Sequence, residues 1–235
     1  MHTSPTVAIV VYQGVLVDET EVFRFVLSRL PALDTVLVGM THGEHAGPGG
    51  IETAEATLEE IGNPEIVVVP GGIGCDRLTE IADWLRTVSP AWLVASSTGS
   101  TLLAAAGLLH RRTAATHWLA GPILERYGAH PSREQLVVDG RIVTCSGPSS
   151  AFRAALVIAE AYGGPELVRE IRSAVEIGKA PKNRPHEAIW QRLWHSIRPP
   201  QRQPELVPTT PEPLITESNV VDLGMITLGR PRDDH

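Results

Sequence analysis

The chain has 235 residues, 43% of them hydrophobic and 20% charged, with a formal net charge of -7. This length and apolar content suit one sizeable core in one domain, and an acidic balance with a pI near 5.7 offers no basic face for nucleic acid. No apolar run approaches ~18 residues, which excludes a transmembrane helix, and the opening MHTSPTVAIVVYQGV lacks a signal-peptide layout. Cys75 and Cys145, the two cysteines, stand at no metal-ligand spacing. We therefore expect reduced thiols in a cytoplasmic protein, with no metal and no cofactor.

Strands and helices alternate along the chain. Val7–Tyr12 (VAIVVY) is a β-branched run expected of a strand covered on both faces. Asp18–Leu30 carries apolar residues at Val22, Phe25, Val26, Leu27 and Leu30, a helical stripe with acids in its first turn. Thr35–Val38 reads as a second strand, and Met40–Thr53, rich in Gly and His, as a loop or small hairpin. Ile66–Val69 is a third buried strand, running into Pro70-Gly71-Gly72 and then a helix from about Asp76 to Thr87. Trp92–Ala95 is a short strand and Thr101–Leu109 a buried helix.

A further short strand at Thr113–Ala115 is followed by a helix over Trp118–Tyr127. Leu136–Val138 and Ile142–Thr144 pair around the turn Asp139-Gly140, and helices over Ser149–Tyr162 and Pro165–Ile177 close the domain. This alternation specifies an α/β fold with a mainly parallel sheet and helices on both faces. The domain is expected over residues 1–180, with a helix over 181–198 packed on the core or a dimer interface. Prolines at 199, 200, 204, 208, 211 and 213 mark residues 199–235 as a mostly disordered tail. Within it, Val220–Ile226 is apolar enough to dock on a second subunit.

Four groups of residues bear chemistry. Ser96-Ser97-Thr98-Gly99-Ser100 joins a buried strand to a buried helix, an elbow that lifts Ser97 above the sheet and points free helix N–H groups at it. Ser97 there is either an attacking group or a small residue suited to a tight turn. Pro70-Gly71-Gly72-Ile73-Gly74 lets backbone N–H groups approach an anion or carbonyl oxygen, or is a simple turn. His117 lies at the carboxyl edge of the sheet, where open α/β folds bind ligands, though a histidine in that position is also commonly structural. Asp18 fits a helix cap and Glu19 is the better residue to point inward. His42-Gly43-Glu44-His45 has metal-binding residue types, but in an exposed Gly-rich loop such histidines usually bind nothing.

Taken together, PGGIG, then VASSTGSTLLAAAGLLHRRTAATHW, then VVDGRIVTCSG resemble the ThiJ/PfpI superfamily of the class I glutamine amidotransferase-like fold, nearest its isonitrile hydratases and the sensor domains of related regulators. The resemblance covers roughly Thr6 to Ile177 and implies a flavodoxin-like sandwich, a homodimer and a small-molecule substrate. It places a reactive Cys where this chain has Ser97, within the pattern A-S-V-C-T-G-S. It matches Glu19 to the acid beside that Cys, Gly71, Gly72 and Thr98 to backbone N–H donors, and His117 to the histidine of T-T-H-W. In the motif G-G-G-[IV]-T-A-G-I-D this chain departs, with Cys145 and Ser146 for two glycines and Arg153 for an acid.

The change from thiol to hydroxyl matters physically. Helix N–H groups and a neighbour can draw a thiol to thiolate, whereas a serine needs a general base within hydrogen-bond reach. Glu19 needs no nucleophile to transfer protons, and burial beside Ser97 would raise its pKa toward neutrality. Three readings follow. One is a lyase, hydratase, isomerase or cyclase with Glu19 as acid–base and Ser97 as a hydrogen-bonding or water-positioning group. The others are a Ser97–His117 hydrolase or amidase, and a catalytically silent ligand sensor or interaction protein that keeps the pocket.

Overall fold

The β-branched run near the start of the chain forms the middle of a sheet. In the computed structural model, which describes residues 5–176, strand β1 (Thr6–Val10) is buried at all five positions, as a strand covered on both faces must be. It pairs in parallel with β2 (Asp34–Gly39) on one side and β6 (Ile66–Val69) on the other. Between them in sequence lie β3 (Gly43–Gly47), β4 (Gly50–Ala54) and β5 (Ala56–Thr57). Then come β7 (Trp92–Ser96), β8 (Thr113–Ala114), β9 (His130–Pro131), β10 (Leu136–Asp139) and β11 (Ile142–Cys145).

The main sheet has seven strands in the order β10-β11-β7-β6-β1-β2-β5, and only the β10–β11 pair is antiparallel. This is the α/β, flavodoxin-like arrangement expected. From β1 the chain moves to β2 on one side and later to β6 on the other, so the order reverses between β1 and β6. Open parallel sheets bind ligands at the carboxyl ends of the strands flanking such a reversal.

The helices are α1 (Val17–Leu27), α2 (Thr79–Thr87), α3 (Ser100–Ala105), α4 (Gly121–Arg126) and α5 (Pro148–Glu176). Helix α1 buries Val22, Phe23, Val26 and Leu27 and packs on α5. Full burial of such side chains is worth about 1.5–3 kcal/mol each. Helix α5 breaks at Gly164 (φ 66°), immediately before Pro165, which accounts for two expected helices on either side of one joint.

Several boundaries differ from expectation. The helix after the elbow ends at Ala105, not Leu109, because Gly107 (φ 80°) takes the left-handed conformation that closes a helix. The helix expected from Asp76 starts as a 3-10 turn over Cys75–Arg77, with α2 following from Thr79. The stretch from Trp118 likewise opens with a 3-10 turn before α4. Met40–Thr53 folds as the antiparallel hairpin β3–β4, and this buries His45, so it is not an exposed loop histidine. The expectations for Ile177, the helix over 181–198 and the tail 199–235 lie outside the described residues. Among the described residues no helix is long and apolar enough to cross a membrane.

Candidate active site at the strand ends

Ser97 follows β7 directly and opens a 3-10 turn, Ser97–Gly99, that runs into α3. Its φ of 53° is in the left-handed region, a strained conformation for a residue with a side chain, at about 1–2 kcal/mol. Two hydroxyls hold it. Thr116 Oγ1 donates to the Ser97 carbonyl at 3.0 Å, and Ser100 Oγ lies 2.9 Å from the same carbonyl and 2.7 Å from Thr116 Oγ1. Gly99 is required by contact, since a Cβ there would sit 2.2 Å from the Val69 carbonyl oxygen. The elbow is therefore pressed onto the end of β6.

Glu19, in the first turn of α1, is completely buried. Its Oε2 accepts a hydrogen bond from the Gly71 N–H at 2.8 Å. Burial pushes the carboxyl up to about 7, the Gly71 N–H and the Ser96 hydroxyl pull it down, and Asp18 adds to the rise. Gly71 also joins the carboxyl to the elbow. A Cβ on Gly71 would meet Ser97 Cβ at 2.6 Å, Ser97 Oγ at 3.0 Å and Glu19 Oε2 at 3.2 Å. The two oxygens thus flank one small space that only glycine leaves open.

The other residues expected in the site divide. Thr98 is present, but its hydroxyl accepts from the Gly72 N–H at 2.9 Å and donates to the Gly72 carbonyl at 2.9 Å. Both glycine N–H groups are thereby engaged, one by Glu19 and one by Thr98, and neither is a free oxyanion donor as arranged. His117 is not brought to Ser97. Its half-buried ring caps the following 3-10 turn, Nδ1 accepting the Leu119 N–H at 3.3 Å, and no hydrogen bond links it to Ser97. The neighbour that does reach the elbow is Thr116, next to the histidine that the sequence singles out. Arg153 is exposed on α5.

Tyr12 and Cys145 bear on the carboxyl, and Cys75 stands behind Tyr12. Tyr12 Oη donates to the Pro70 carbonyl at 2.8 Å and lies 3.3 Å from Cys75 Sγ, bracing the Pro70-Gly71-Gly72 turn from below. Burial raises the Tyr12 phenol and pushes the Cys75 thiol up to about 11. Cys145 ends β11 opposite Ser96, wholly buried, and burial pushes its thiol up to about 12, so it is no nucleophile in place of the missing one. Strand ends that share the carboxyl edge were the available signal for Cys145 and Ser96. Among the described residues no group of three or more His, Cys, Asp or Glu is placed to hold a metal.

Comparison with known proteins agrees with this fold. The model of the DJ-1/PfpI family matches residues 6–161. Isonitrile hydratase of Pseudomonas putida is 29% identical over 162 residues, covering 66% of this chain and 71% of that protein. The glutathione-independent glyoxalase DJR-1.2 of Caenorhabditis elegans is 30% identical over 132 residues, 53% of this chain and 70% of its own length. A THiJ/PfpI family protein from Pseudomonas syringae shares the fold at a TM-score of 0.69 and 18% identity, covering 81% of this chain and 85% of that one.

Proposed function

The chain belongs to the DJ-1/PfpI family, and from that premise we propose that it is a small-molecule enzyme of the hydratase, lyase, isomerase or cyclase kind. Glu19 is its acid–base group and Ser97 a hydrogen-bonding or water-positioning group. The observation that carries this reading is the buried carboxyl of Glu19, held at about 7 beside Ser97 Oγ across the open face of Gly71. A carboxyl with that pKa is present in both protonation states near neutrality, where it transfers protons best. Among the described residues no hydrogen bond joins Ser97 Oγ to a base, and the imidazole expected nearby accepts the Leu119 N–H instead, which favours this reading over a serine nucleophile.

An isonitrile, the substrate class named for one relative, fits such a site. Protonated Glu19 gives its proton to the terminal carbon, leaving a carboxylate and a nitrilium ion. Water oriented by Ser97 adds to that carbon, the carboxylate takes the water's proton, and the imidic acid tautomerises to a formamide. Atoms and charge balance without a covalent enzyme intermediate. A homodimer in the cytoplasm is the setting we assign, on the two unpaired buried cysteines and the family resemblance.

The test is formamide formation from a simple alkyl isonitrile by wild type, Glu19→Gln and Ser97→Ala. The expected pattern is loss of turnover by about 10²–10⁴-fold in Glu19→Gln and a smaller loss in Ser97→Ala. Full activity in a folded Glu19→Gln would overturn the assignment. Stoichiometric labelling of Ser97 by a serine-directed phosphonate would favour a hydrolase instead.

A further inference from the structure

Two buried polar atoms next to the site have no hydrogen-bond partner among the described residues: Oε1 of Glu19 and Oγ of Ser96. Both residues are wholly buried, away from bulk solvent. A buried hydroxyl or carboxylate oxygen left unpaired is costly, and native structures rarely tolerate two side by side. Ser96 ends β7, and across the parallel ladder its register partner is Cys145, the last residue of β11. The Ser96 hydroxyl bears on the carboxyl of Glu19, favouring its ionised form, and on the thiol of Cys145, which Ser150 and the Gly147 backbone also reach. The donors and acceptors match in number. Cys145 has one S–H to give, Ser96 accepts one bond and gives one, and Oε1 accepts one. Gly71 N–H already occupies Oε2.

We propose that Ser96 is a positioning residue for Glu19: its hydroxyl holds Oε1, with the Cys145 thiol donating to Ser96 from behind, so that Oε2 stays turned toward Gly71 and Ser97. This rests on the reading of Glu19 as the acid–base group. It adds that the carboxyl is gripped at both oxygens, by a backbone N–H in front and a serine–cysteine pair behind. Asp18, Tyr12 and Cys145 are the other titratable groups that bear on Glu19, and all three disfavour its charge or are disfavoured by it. The Ser96 hydroxyl and the Gly71 N–H are what oppose them.

The full-length protein, labelled with ¹³C at glutamate Cδ and assigned with Glu19→Gln, provides a readout that needs no substrate. Ser96→Ala removes one donor to the carboxylate, so the Glu19 midpoint should move upward by on the order of one unit. Ser96→Thr, which keeps a hydroxyl, should restore it in part. The infrared S–H stretch of Cys145, assigned with Cys145→Ala, should shift to higher frequency in Ser96→Ala because the thiol loses its acceptor. An unmoved Glu19 midpoint together with an unmoved S–H band in folded Ser96→Ala would overturn the proposal. The wild-type midpoint judges the underlying reading separately. A value near 4.5 would remove Glu19 as a neutral-pH acid–base group, while the change on Ser96→Ala would still decide the role of Ser96.

Discussion

Two glutamates in this molecule have almost the same proton affinity and very different surroundings. Burial pushes Glu19 and Glu52 each up to about 7. Glu52 lies on the β3–β4 hairpin opposite His45, near the Glu21 and Glu55 carboxylates and 3.9 Å from Arg24 Nη1. Glu19 sits where β1, β6 and β7 end, bonded to the Gly71 N–H and facing the strained elbow. A raised pKa is therefore no mark of an active site by itself. Convergence of a backbone donor, a second hydroxyl and an open space at the sheet's reversal point is what separates the two.

The largest expected difference between them is in turnover. Glu19→Gln should lower it by about 10²–10⁴-fold while Glu52→Gln leaves it nearly unchanged, measured as kcat on the same substrate. Equal losses would mean that burial, and not the elbow, defines the chemistry. Stability should separate them less. Each carboxyl binds its proton more tightly folded than unfolded, so each contributes stability below about pH 4.5 that is lost as pH rises through about 7. Urea unfolding of Glu19→Gln at pH 8 should show a gain of up to about 3 kcal/mol over wild type that vanishes toward pH 4.5. Glu52→Gln should gain less, because Arg24 loses a partner.

The elbow can be probed without a substrate. Ser97→Cys should produce a thiol that iodoacetamide alkylates at least about tenfold faster than free cysteine at pH 7, because the helix N–H groups favour thiolate. Cys75 and Cys145, buried and pushed up to about 11 and 12, should stay silent in the native protein. Mass spectrometry of the alkylated peptides checks both. The smallest effect is expected at Thr116. Thr116→Val removes a hydroxyl from the Ser97 carbonyl and should destabilise by about 1 kcal/mol in chemical denaturation.

Much of this arrangement was legible in one dimension. Buried β-branched runs and the turns after them located β1, β6 and β7, and with them Glu19, Gly71 and Ser97. What the chain order hides is which side chains meet across neighbouring strand ends. Ser96 and Cys145 are 49 positions apart and become partners only through the β7–β11 register. Thr116 and His117 are adjacent and equally plausible by position, yet the backbone turns Thr116 to the elbow and uses His117 as a cap. The Gly72 N–H looked free because the Thr98 hydroxyl that occupies it lies 26 residues away. The early end of α3 was readable in principle from Gly107, a residue type that closes helices.

The central claim is that one buried carboxyl, and not a serine nucleophile, carries the chemistry. The pH dependence of kcat/KM tests it most directly, on an isonitrile or any substrate the wild type hydrates. If protonated Glu19 is the acid, the rate should be level at low pH and fall about tenfold per unit above a midpoint near 7, with that limb absent from the residual activity of Glu19→Gln. A profile flat through pH 7, or one whose limb survives in Glu19→Gln, would contradict it.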